Sequence, residues 1–440
     1  MVKEPKELKS LMYWKRLKRP LKQYNATIPE KYLVFIPWAG GLSNQRMSFE
    51  TAAALAYLTN RTLVLPDKAK YPHLKGNQTY CEDDFYDLED IGIKTMLCHD
   101  FCKKNNILLP KLNHKSWGFK YSYSDILRNS DLYMMGRASV DKQGRWWSNR
   151  LQDSGHIPTG ISQVDKNSAK NLGFTQLVVD SIDSYPLMKL PHKENKKELA
   201  KPLRILFNND SKIAVICMCL GNFYFKLHSR YMIDACQYVA RHIHYKKDTV
   251  LVAAKVVDYI RQHHSPKFYS IHLRLADEFK EQIHVPKTER ILKHIEKHIP
   301  RGETVYIATD TNNLAQKDEW SALFNNWNVI SFADVEHVVD KEDIDIQKNS
   351  HGRAITEQLI CARGEVFIGS YLSTFSAYIN RLRGYMPDVR DKRFITTFNG
   401  YQPWEDNDSV DESFANENLW KNRAFWCRDF AIAFKDLQYK

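Results

Sequence analysis

Short apolar runs alternate with helix-forming segments along this chain, and this alternation is the feature that most constrains its fold. Residues 32–36 (YLVFI) and 62–65 (TLVL) have the composition of strands buried on both faces. Between them, residues 45–58 place apolar side chains at helical spacing. A strand, a helix and a second strand within about thirty-five residues form a βαβ unit, which predicts a parallel sheet.

The same alternation returns in the second half of the chain. The patterns predict strands at 268–273, 304–308, 328–332 and 365–369, and helices at 249–262, 287–298, 352–362 and 374–383. Two more apolar runs, 203–207 and 213–220, read as strands of the first region. We therefore predict an α/β protein with two Rossmann-like parallel-sheet domains that face a central cleft.

The predicted organisation has four parts. They are a basic N-terminal tail (1–28), an N-terminal Rossmann-like domain with helical and loop insertions (29–264), a C-terminal Rossmann-like domain (265–400) and C-terminal helices that pack back on the body (401–440). The segment from residue 70 to residue 190 has weak periodicity and is rich in Tyr, Trp, Asp and Lys. We interpret it as helices and long loops that decorate the first domain.

Composition limits the class of protein and of partner. The 440 residues are 43% hydrophobic and 26% charged, which excludes disordered and collagen-like chains. The sequence has no uncharged apolar run of about 18 residues and no signal-peptide pattern, so we expect a cytoplasmic protein. The alternative is the lumen of the secretory pathway, if a leader has been removed. The eight cysteines lack zinc-ribbon spacing, and the net charge of +12 favours anionic partners.

The tail concentrates positive charge, with eight Lys and Arg residues among residues 1–24. One interpretation is weak contact with an anionic membrane, or binding to nucleic acid. A solvated linker explains the same composition, and we favour it.

The first segment that could carry chemistry is WAGGLSNQRMSFE (38–50), the turn from the first strand into the first helix. Gly40 and Gly41 allow a sharp turn and a close approach by a ligand. With Ser43 as the N-cap, the N–H groups of residues 44–46 would face a bound phosphate, and Arg46 would add a full charge. An ordinary βα turn also contains glycine, so the pattern alone leaves both interpretations open.

The second segment is IHLRLADEF (271–279), where a buried strand ends in charged residues. His272 and Arg274 are two apart and so project from one face of the strand. Ligands of open α/β sheets bind at the carboxyl ends of the strands, and Arg274 can hold two phosphate oxygens. Asp277 and Glu278 follow. Charged residues at the end of a surface strand are the alternative interpretation.

The third segment is FIGSYLSTFSAYINRLR (367–383), a strand that runs into a helix. Ser373 and Thr374 can cap this helix, and hydroxyl and N–H groups gather there as a possible anion site. Simple capping is the alternative, since every helix start needs it. We expect Arg381 and Arg383, further along the helix, to face solvent.

Three other patterns are set aside. Asp343 and Asp345 form an Asp-x-Asp pattern within an acidic run that is typical of a solvated loop; His242 with His244, and His263 with His264, lack a third metal ligand nearby; Trp146 and Trp147 read as a core or loop anchor. No Lys-bearing P-loop occurs, which argues against ATP hydrolysis.

Four motifs, in order, resemble those of GDP-fucose-dependent protein O-fucosyltransferases and related fucosyltransferases. They are GGLSNQRMSFETAAALAYLTNRTLVLP, IHLR, VYIATD and FIGSYLSTFSAYINRLR. The resemblance implies a GT-B fold with an acceptor domain followed by a nucleotide-sugar-binding domain. It also implies an inverting, metal-independent transfer of fucose from GDP-fucose, with no further cofactor, to a glycan or glycoprotein acceptor.

The resemblance also assigns roles to matching residues. Asn44 in the glycine loop would contact the donor or the reacting centre, and Gly40, Gly41 and Arg46 would line that loop. His272 and Arg274 would hold the nucleotide and diphosphate, Asp310 and Glu357 would lie at the donor, and Ser373, Thr374 and Phe375 would bind phosphate and pack near the sugar or base. Some relatives place a carboxylate in the glycine loop, where this chain has Ala39 and Gly40. Asp277 and Glu278 are the nearest alternatives for the catalytic base.

Two alternatives to a fucosyltransferase stay open at this point. A GT-B enzyme that uses another nucleotide sugar would keep the fold and the mechanism. A basic nucleic-acid-binding protein would account for the net charge and the tail, but the motifs point into a cleft and no patch interleaves aromatic with basic residues. We therefore expect GDP-fucose or GDP, and not nucleic acid, to be the anionic partner.

Overall fold

The structure is a computed structural model, and it describes most of the predicted strands and helices. The described residues are 4–17, 30–37, 41–68, 80–112, 121–122, 126, 132–136, 177–180, 212–218, 229–275, 287–311, 313–339, 350–370, 373–393, 395–397, 437 and 439. The predicted strand at 203–207 and nearly all of the predicted C-terminal helices lie outside them.

Thirteen strands are described. In chain order they are β1 (Tyr32–Pro37), β2 (Thr62–Leu65), β3 (Thr95–Leu97), β4 (Lys111–Leu112), β5 (Tyr121–Ser122), β6 (Leu132–Gly136), β7 (Leu177–Asp180), β8 (Ile213–Met218), β9 (Tyr269–Leu273), β10 (Thr304–Thr309), β11 (Asn328–Ser331), β12 (Phe367–Gly369) and β13 (Ile395–Thr396).

The described α-helices are α1 (Leu8–Leu11), α2 (Leu42–Thr59), α3 (Cys98–Asn105), α4 (Ser229–His242), α5 (Lys247–His263), α6 (Thr288–His298), α7 (Ser321–Asn326), α8 (Phe332–Val335), α9 (Ser350–Ala362) and α10 (Thr374–Tyr385). Short 3₁₀ turns occupy Tyr13–Arg16, Glu82–Asp84, Leu314–Gln316, Asp318–Trp320 and Glu336–Val338. None of the helices in the described ranges is both long and apolar enough to cross a membrane.

One compact unit comprises residues 20–244 and is built on a six-stranded sheet. Its strand order is β3-β2-β1-β8-β6-β7, and every pairing in it is parallel. The central strand β1 is buried from Tyr32 to Ile36, as its unbroken apolar run predicts. The helix α2 follows β1 directly and is buried over most of its length.

The other compact unit comprises residues 1–19 and 245–440, with a five-stranded parallel sheet in the order β11-β10-β9-β12-β13. Its core joins Ile271 of β9, Val305 of β10 and Ile368 of β12 to the apolar face of α6, where Ile291 and Ile295 lie one helical turn apart. The short strands read as apolar runs because helices cover both faces of the sheet.

Two parallel-sheet α/β units are thus present, and the predicted fold class is confirmed. The units divide the chain at residues 244 and 245, about twenty residues before the predicted boundary. The reason is the helix α5, which packs against α9 and so belongs with the five-stranded sheet. The cleft between the two domains stays a prediction.

The N-terminal segment differs from the solvated tail that its composition suggested. Apolar side chains recur among the lysines of this segment, and they are buried in the unit that holds the five-stranded sheet. They are Leu8, Leu11, Tyr13 and Trp14. α1 packs against α5. The predicted contact between this segment and an anionic membrane therefore has no support in the structure.

A buried carboxylate anchors this segment. Glu7 is 6% exposed, and its Oε2 lies 2.6 Å from Nε of the buried Arg363. The guanidinium of Arg261 contacts the other carboxylate oxygen, and Arg363 also binds Asp388 at 2.9 Å. Removing one partner from such a network leaves a buried charge uncompensated.

We therefore expect Glu7→Ala to lower the free energy of unfolding by about 3–5 kcal/mol, as measured by urea denaturation. The matched control is Glu4→Ala, which removes an exposed carboxylate of the same segment. Equal midpoints for the two variants would contradict an anchoring role for Glu7.

Candidate functional site

An arginine and an aspartate meet at the carboxyl edge of the five-stranded sheet. Arg274 directly follows β9 and Asp310 directly follows β10, and these strands are parallel neighbours. The Nε of Arg274 lies 3.1 Å from Oδ2 of Asp310, and the backbone N–H of Leu275 donates to Oδ1 at 2.7 Å. One carboxylate therefore fixes both the side chain of Arg274 and the backbone beyond it. The side chain of Arg274 is 43% exposed, so it remains accessible to a ligand.

Ser370 holds the same stretch of backbone from the other side. It directly follows β12, which pairs with β9 on the side away from β10. Its hydroxyl donates to the carbonyl of His272 at 2.9 Å and accepts from the N–H of Arg274 at 2.7 Å. The end of β9 is thus held by side chains from both neighbouring strands, which restricts the position of Arg274.

His272 is a neutral, buried member of this cluster. It is 4% exposed, its Nδ1 lies 2.6 Å from the hydroxyl of Ser376, and its ring centroid is 4.5 Å from that of Phe375. Burial, and next the positive charge of Arg274, lower the pKa of His272 to about 3. Positive charge at the edge therefore rests on Arg274 and not on the imidazole.

The N-terminus of α10 contributes backbone N–H groups at the same place. Ser373 occupies the N-cap position, as predicted, but its hydroxyl does not cap the helix. Among the described residues, neither its hydroxyl nor that of Thr374 has a hydrogen-bond partner. The first N–H groups of a helix lack intrahelical acceptors and carry partial positive charge, so this start can bind an anion.

Glu357 of α9 belongs to the same unit, and its side chain is 14% exposed. Burial raises its pKa to about 7, while Arg353 and the hydroxyl of Tyr306 act in the opposite direction. Arg353 stands one helical turn before Glu357, and its guanidinium lies 4.7 Å from the ring centroid of Phe332. A carboxyl group with this pKa changes charge near neutral pH, which is uncommon outside functional sites.

The glycine loop before α2 differs in detail from the sequence-based interpretation. The helix begins at Leu42 with Gly41 as its N-cap, so Ser43 is not the cap. The N–H groups of Asn44 and Gln45 donate to the carbonyl of Gly41, at 3.0 and 3.1 Å, and are used within the helix. The side-chain Oδ1 of Asn44 is buried and has no hydrogen-bond partner among the described residues. It is therefore the group of this loop that a ligand could satisfy.

Arg46 does not face a ligand. It is 1% exposed, its Nε pairs with Oε1 of Glu50 at 3.0 Å, and one terminal nitrogen donates to the carbonyl of Ile243 at 2.8 Å. Its guanidinium also lies 5.3 Å from the ring centroid of Tyr86. Arg46 therefore stabilises the interior of its unit. This arrangement disagrees with the prediction that Arg46 contacts a bound phosphate.

The expectation that Arg381 and Arg383 face solvent is wrong, since both are fully buried. Arg383 donates to backbone carbonyls, among them those of Glu365 at 2.9 Å and Asp391 at 2.6 Å. The helix α10 is covered on all sides, so the amphipathic pattern that the prediction assumed does not apply to it.

Several predicted site residues fall outside the described part of the chain. They are Gly40, Asp277 and Glu278, and the residues Asp343, Asp345, Trp146 and Trp147 of the patterns set aside above lie outside it as well. Within the described part, no three His, Cys, Asp or Glu side chains are grouped so as to hold a metal ion. His242 and His244 instead bind Asp90, with 3.1 Å between Nε2 of His244 and Oδ2 of Asp90.

Sequence reasoning missed four residues that contact the predicted site residues. Ser370 and Ser376 lie inside a motif already quoted, yet a serine carries no sign of its partner until β9 and β12 are paired. Arg353 stands four residues before Glu357, and this spacing could have indicated an i, i+4 ion pair. Tyr306 lies in an apolar strand, where a tyrosine is ordinary.

A family model matches most of the chain. The model described as O-FucT, GDP-fucose protein O-fucosyltransferase, matches residues 32–386. Among curated proteins no sequence match was found. The family match covers every motif described above and both parallel sheets except for the edge strand β13.

Solved structures with low similarity include POFUT1 and NodZ. POFUT1 in complex with GDP-fucose is 15% identical with a TM-score of 0.43, covering 84% of this chain and 98% of that one. NodZ alpha-1,6-fucosyltransferase, from Bradyrhizobium, soaked with GDP-fucose, is 15% identical with a TM-score of 0.41, covering 80% of this chain and 92% of that one. At these TM-scores neither similarity supports a statement about the fold or the site.

The neutral state of His272 predicts a specific pH dependence of stability. The pKa of about 3 in the folded protein lies below its ordinary value of 6.5, so the unfolded chain binds the additional proton. Stability is therefore lost as the pH falls below about 6.5, by roughly 2 kcal/mol between about pH 7 and about pH 5. His272→Asn lacks this proton uptake, so its stability deficit relative to wild type should shrink by about that amount over the same range.

Urea denaturation at the two pH values measures this difference, because the other titrating groups cancel between wild type and variant. The control is His264→Asn, which replaces an exposed histidine. A deficit of His272→Asn that stays constant with pH would show that folding does not lower the pKa of His272.

Proposed function

The chain belongs to the GDP-fucose protein O-fucosyltransferase family, and from this we propose that it transfers fucose from GDP-fucose to a hydroxyl group of a protein or glycan acceptor, with inversion and without a metal ion. The observation that supports this proposal most directly is the accessible Arg274, fixed by Asp310 beside the N-terminus of α10. Membership of this family favours the proposal over the nucleic-acid-binding alternative.

In this proposal Arg274 binds the diphosphate of the donor. Its planar guanidinium can offer two parallel N–H groups to phosphate oxygens. The N–H groups of Thr374 and Phe375 and the hydroxyl of Ser373 add neutral donors at the start of α10. These groups favour an anion without requiring a second full charge.

The same groups act more strongly as the glycosidic bond breaks. Positive charge develops on the sugar and negative charge on the departing diphosphate. Fixed donors stabilise the departing charge without reorganising, and one such donor contributes about 3–4 kcal/mol in comparable deletion experiments. Arg274 and the start of α10 would thus take the part that a divalent cation has in other glycosyltransferases.

Activation of the acceptor hydroxyl requires a base, for which we propose Asp277 or Glu278. Asn44 is proposed to act at the reacting centre because its Oδ1 is buried without a partner among the described residues. An amide oxygen accepts a hydrogen bond but is not a base. Asn44 can therefore orient a hydroxyl of the donor or the acceptor.

We propose that Glu357 accepts N–H groups of the nucleotide base. Only the ionised carboxylate can accept both of two neighbouring N–H donors. Because the pKa of Glu357 is about 7 in the free protein, binding in this manner favours its deprotonated form. Affinity for GDP should then rise with pH through neutrality.

The direct test of the function is a panel of nucleotide sugars scored for hydrolysis and for transfer, with and without a chelator. We expect GDP-fucose to be the preferred donor, GDP but not UDP to raise the melting temperature, and the chelator to have no effect. The anomeric configuration of the product, read by NMR, tests inversion. Preference for another nucleotide sugar would overturn the donor assignment.

Arg274→Ala should lower kcat/KM for fucosyl transfer by about 10²- to 10³-fold, because the charge that stabilises the leaving diphosphate is lost. Arg274→Lys should recover only part of this loss, since an ammonium group keeps the charge without the planar fork. The control is Arg290→Ala, which removes an exposed arginine from α6. Near-wild-type transfer by Arg274→Ala would refute the site.

Glu357→Gln should bind GDP more weakly and should lose part of the pH dependence of binding. A carboxyl group with a pKa of about 7 that must be ionised improves the affinity roughly tenfold between about pH 6 and about pH 8. Calorimetric titration of wild type and variant at both pH values isolates this contribution, because phosphate ionisation of GDP affects both alike. Equal pH dependence in the two proteins would contradict the role.

A further inference from the structure

We propose that Ser376 is a positioning residue that fixes His272 in the tautomer with its proton on Nε2, so that the imidazole offers a hydrogen-bond donor to GDP-fucose. The identity of the ligand rests on the function proposed above. The tautomer itself follows from the hydrogen bonds among His272, Ser370 and Ser376, and it can be measured without any ligand.

The hydroxyl of Ser376 contacts two groups, a backbone N–H that donates to it and a ring nitrogen that can accept from it. Its oxygen accepts the backbone N–H of Ser370 at 2.8 Å, and it lies 2.6 Å from Nδ1 of His272. A hydroxyl that already accepts one bond has its proton left to donate. Among the described residues, Nδ1 is the acceptor within reach of that proton, which requires an unprotonated Nδ1 and places the ring proton on Nε2.

The tautomer with its proton on Nδ1 is unfavourable, because it leaves one hydrogen-bond donor without an acceptor. With the proton on Nδ1, the oxygen of Ser376 would accept from both His272 and Ser370. Its own proton would then have no recorded acceptor among the described residues. A buried donor without a partner costs about 1–3 kcal/mol, and Ser376 is fully buried.

Packing keeps the two side chains close together. Ser376 lies against Gly369, where an added Cβ would be 2.6 Å from the Cβ of Ser376. The ring of His272 packs on Phe375 with 38° between the ring planes. The end of β12 and the first turn of α10 thus hold Ser376 beside the imidazole.

The consequence concerns what His272 can bind. Its Nε2 has no partner recorded among the described residues, and the ring is neutral across the working pH range. A neutral Nε2–H donates to an acceptor atom, such as an oxygen of phosphate, ribose or base. Ser376 thus determines that His272 binds a hydrogen-bond acceptor of GDP-fucose. It does so through Nδ1, whereas the substrate would be bound through Nε2.

The first experiment measures the tautomer directly. Two-bond ¹H–¹⁵N correlation spectra of the full chain labelled at histidine distinguish the protonated from the unprotonated ring nitrogen, and His272→Asn identifies the signals of His272 among the sixteen histidines. We expect wild-type protein to show an unprotonated Nδ1. Ser376→Ala should show a mixture of both tautomers, and Ser376→Cys a partial return toward wild type. A protonated Nδ1 in the wild type would overturn the proposal.

The second experiment measures GDP binding by calorimetry in the same proteins. Ser376→Ala should lose about tenfold in affinity, with Ser376→Cys between it and wild type. The control is Thr51→Val, which removes another buried helix hydroxyl and tests for a general effect of destabilisation. Unchanged tautomer and affinity in Ser376→Ala would overturn the positioning role. A wild type with the expected tautomer that binds no GDP would support the tautomer assignment and overturn the proposed function.

Discussion

The pairing of Arg274 with Asp310 is the interaction on which the candidate site depends. An arginine at the end of a strand has several rotatable bonds, and fixing it in place costs entropy. Asp310 reaches across from the neighbouring strand, binds Nε, and also binds the next backbone N–H, of Leu275. Because β9 and β10 are parallel, their ends lie side by side, and the ion pair follows from the topology of the sheet.

The neutral state of His272 avoids a second positive charge next to the Arg274–Asp310 ion pair. Two cations two residues apart on one strand would repel each other, and burial resolves the conflict by removing the charge from the imidazole. The edge then offers one full charge at Arg274, a neutral ring, and the N–H groups at the start of α10. These charged and neutral hydrogen-bond donors can stabilise the negative charge that develops on a leaving diphosphate, although only Arg274 carries a full positive charge.

From residue 249 onward the sequence predicted the order of strands and helices well, because short apolar runs leave few alternatives. The interpretation of residues 70–190 as helices and long loops was wrong, since β3, β6 and β7 lie there and belong to the six-stranded sheet. The sequence also predicted which strand ends carry polar residues, since parallel strands expose those ends at one edge. It failed where tertiary partners decide. Ser43 was expected to cap α2, but the N-cap lies two residues earlier, at Gly41. Ser376 gave no signal at all, because its partner lies on a strand about a hundred residues away.

The arginines show why composition alone could not locate the site. Arg46 and Arg383 carry the same charge as Arg274, yet both are buried and donate to carbonyl or carboxylate oxygens of their own units. They contribute to the net charge of +12 without attracting any partner. A guanidinium becomes a candidate for binding when its own carboxylate fixes it and part of its surface stays exposed. Arg274 meets both conditions, and its position beside a helix start explains why the bound group should be an anion with several oxygens.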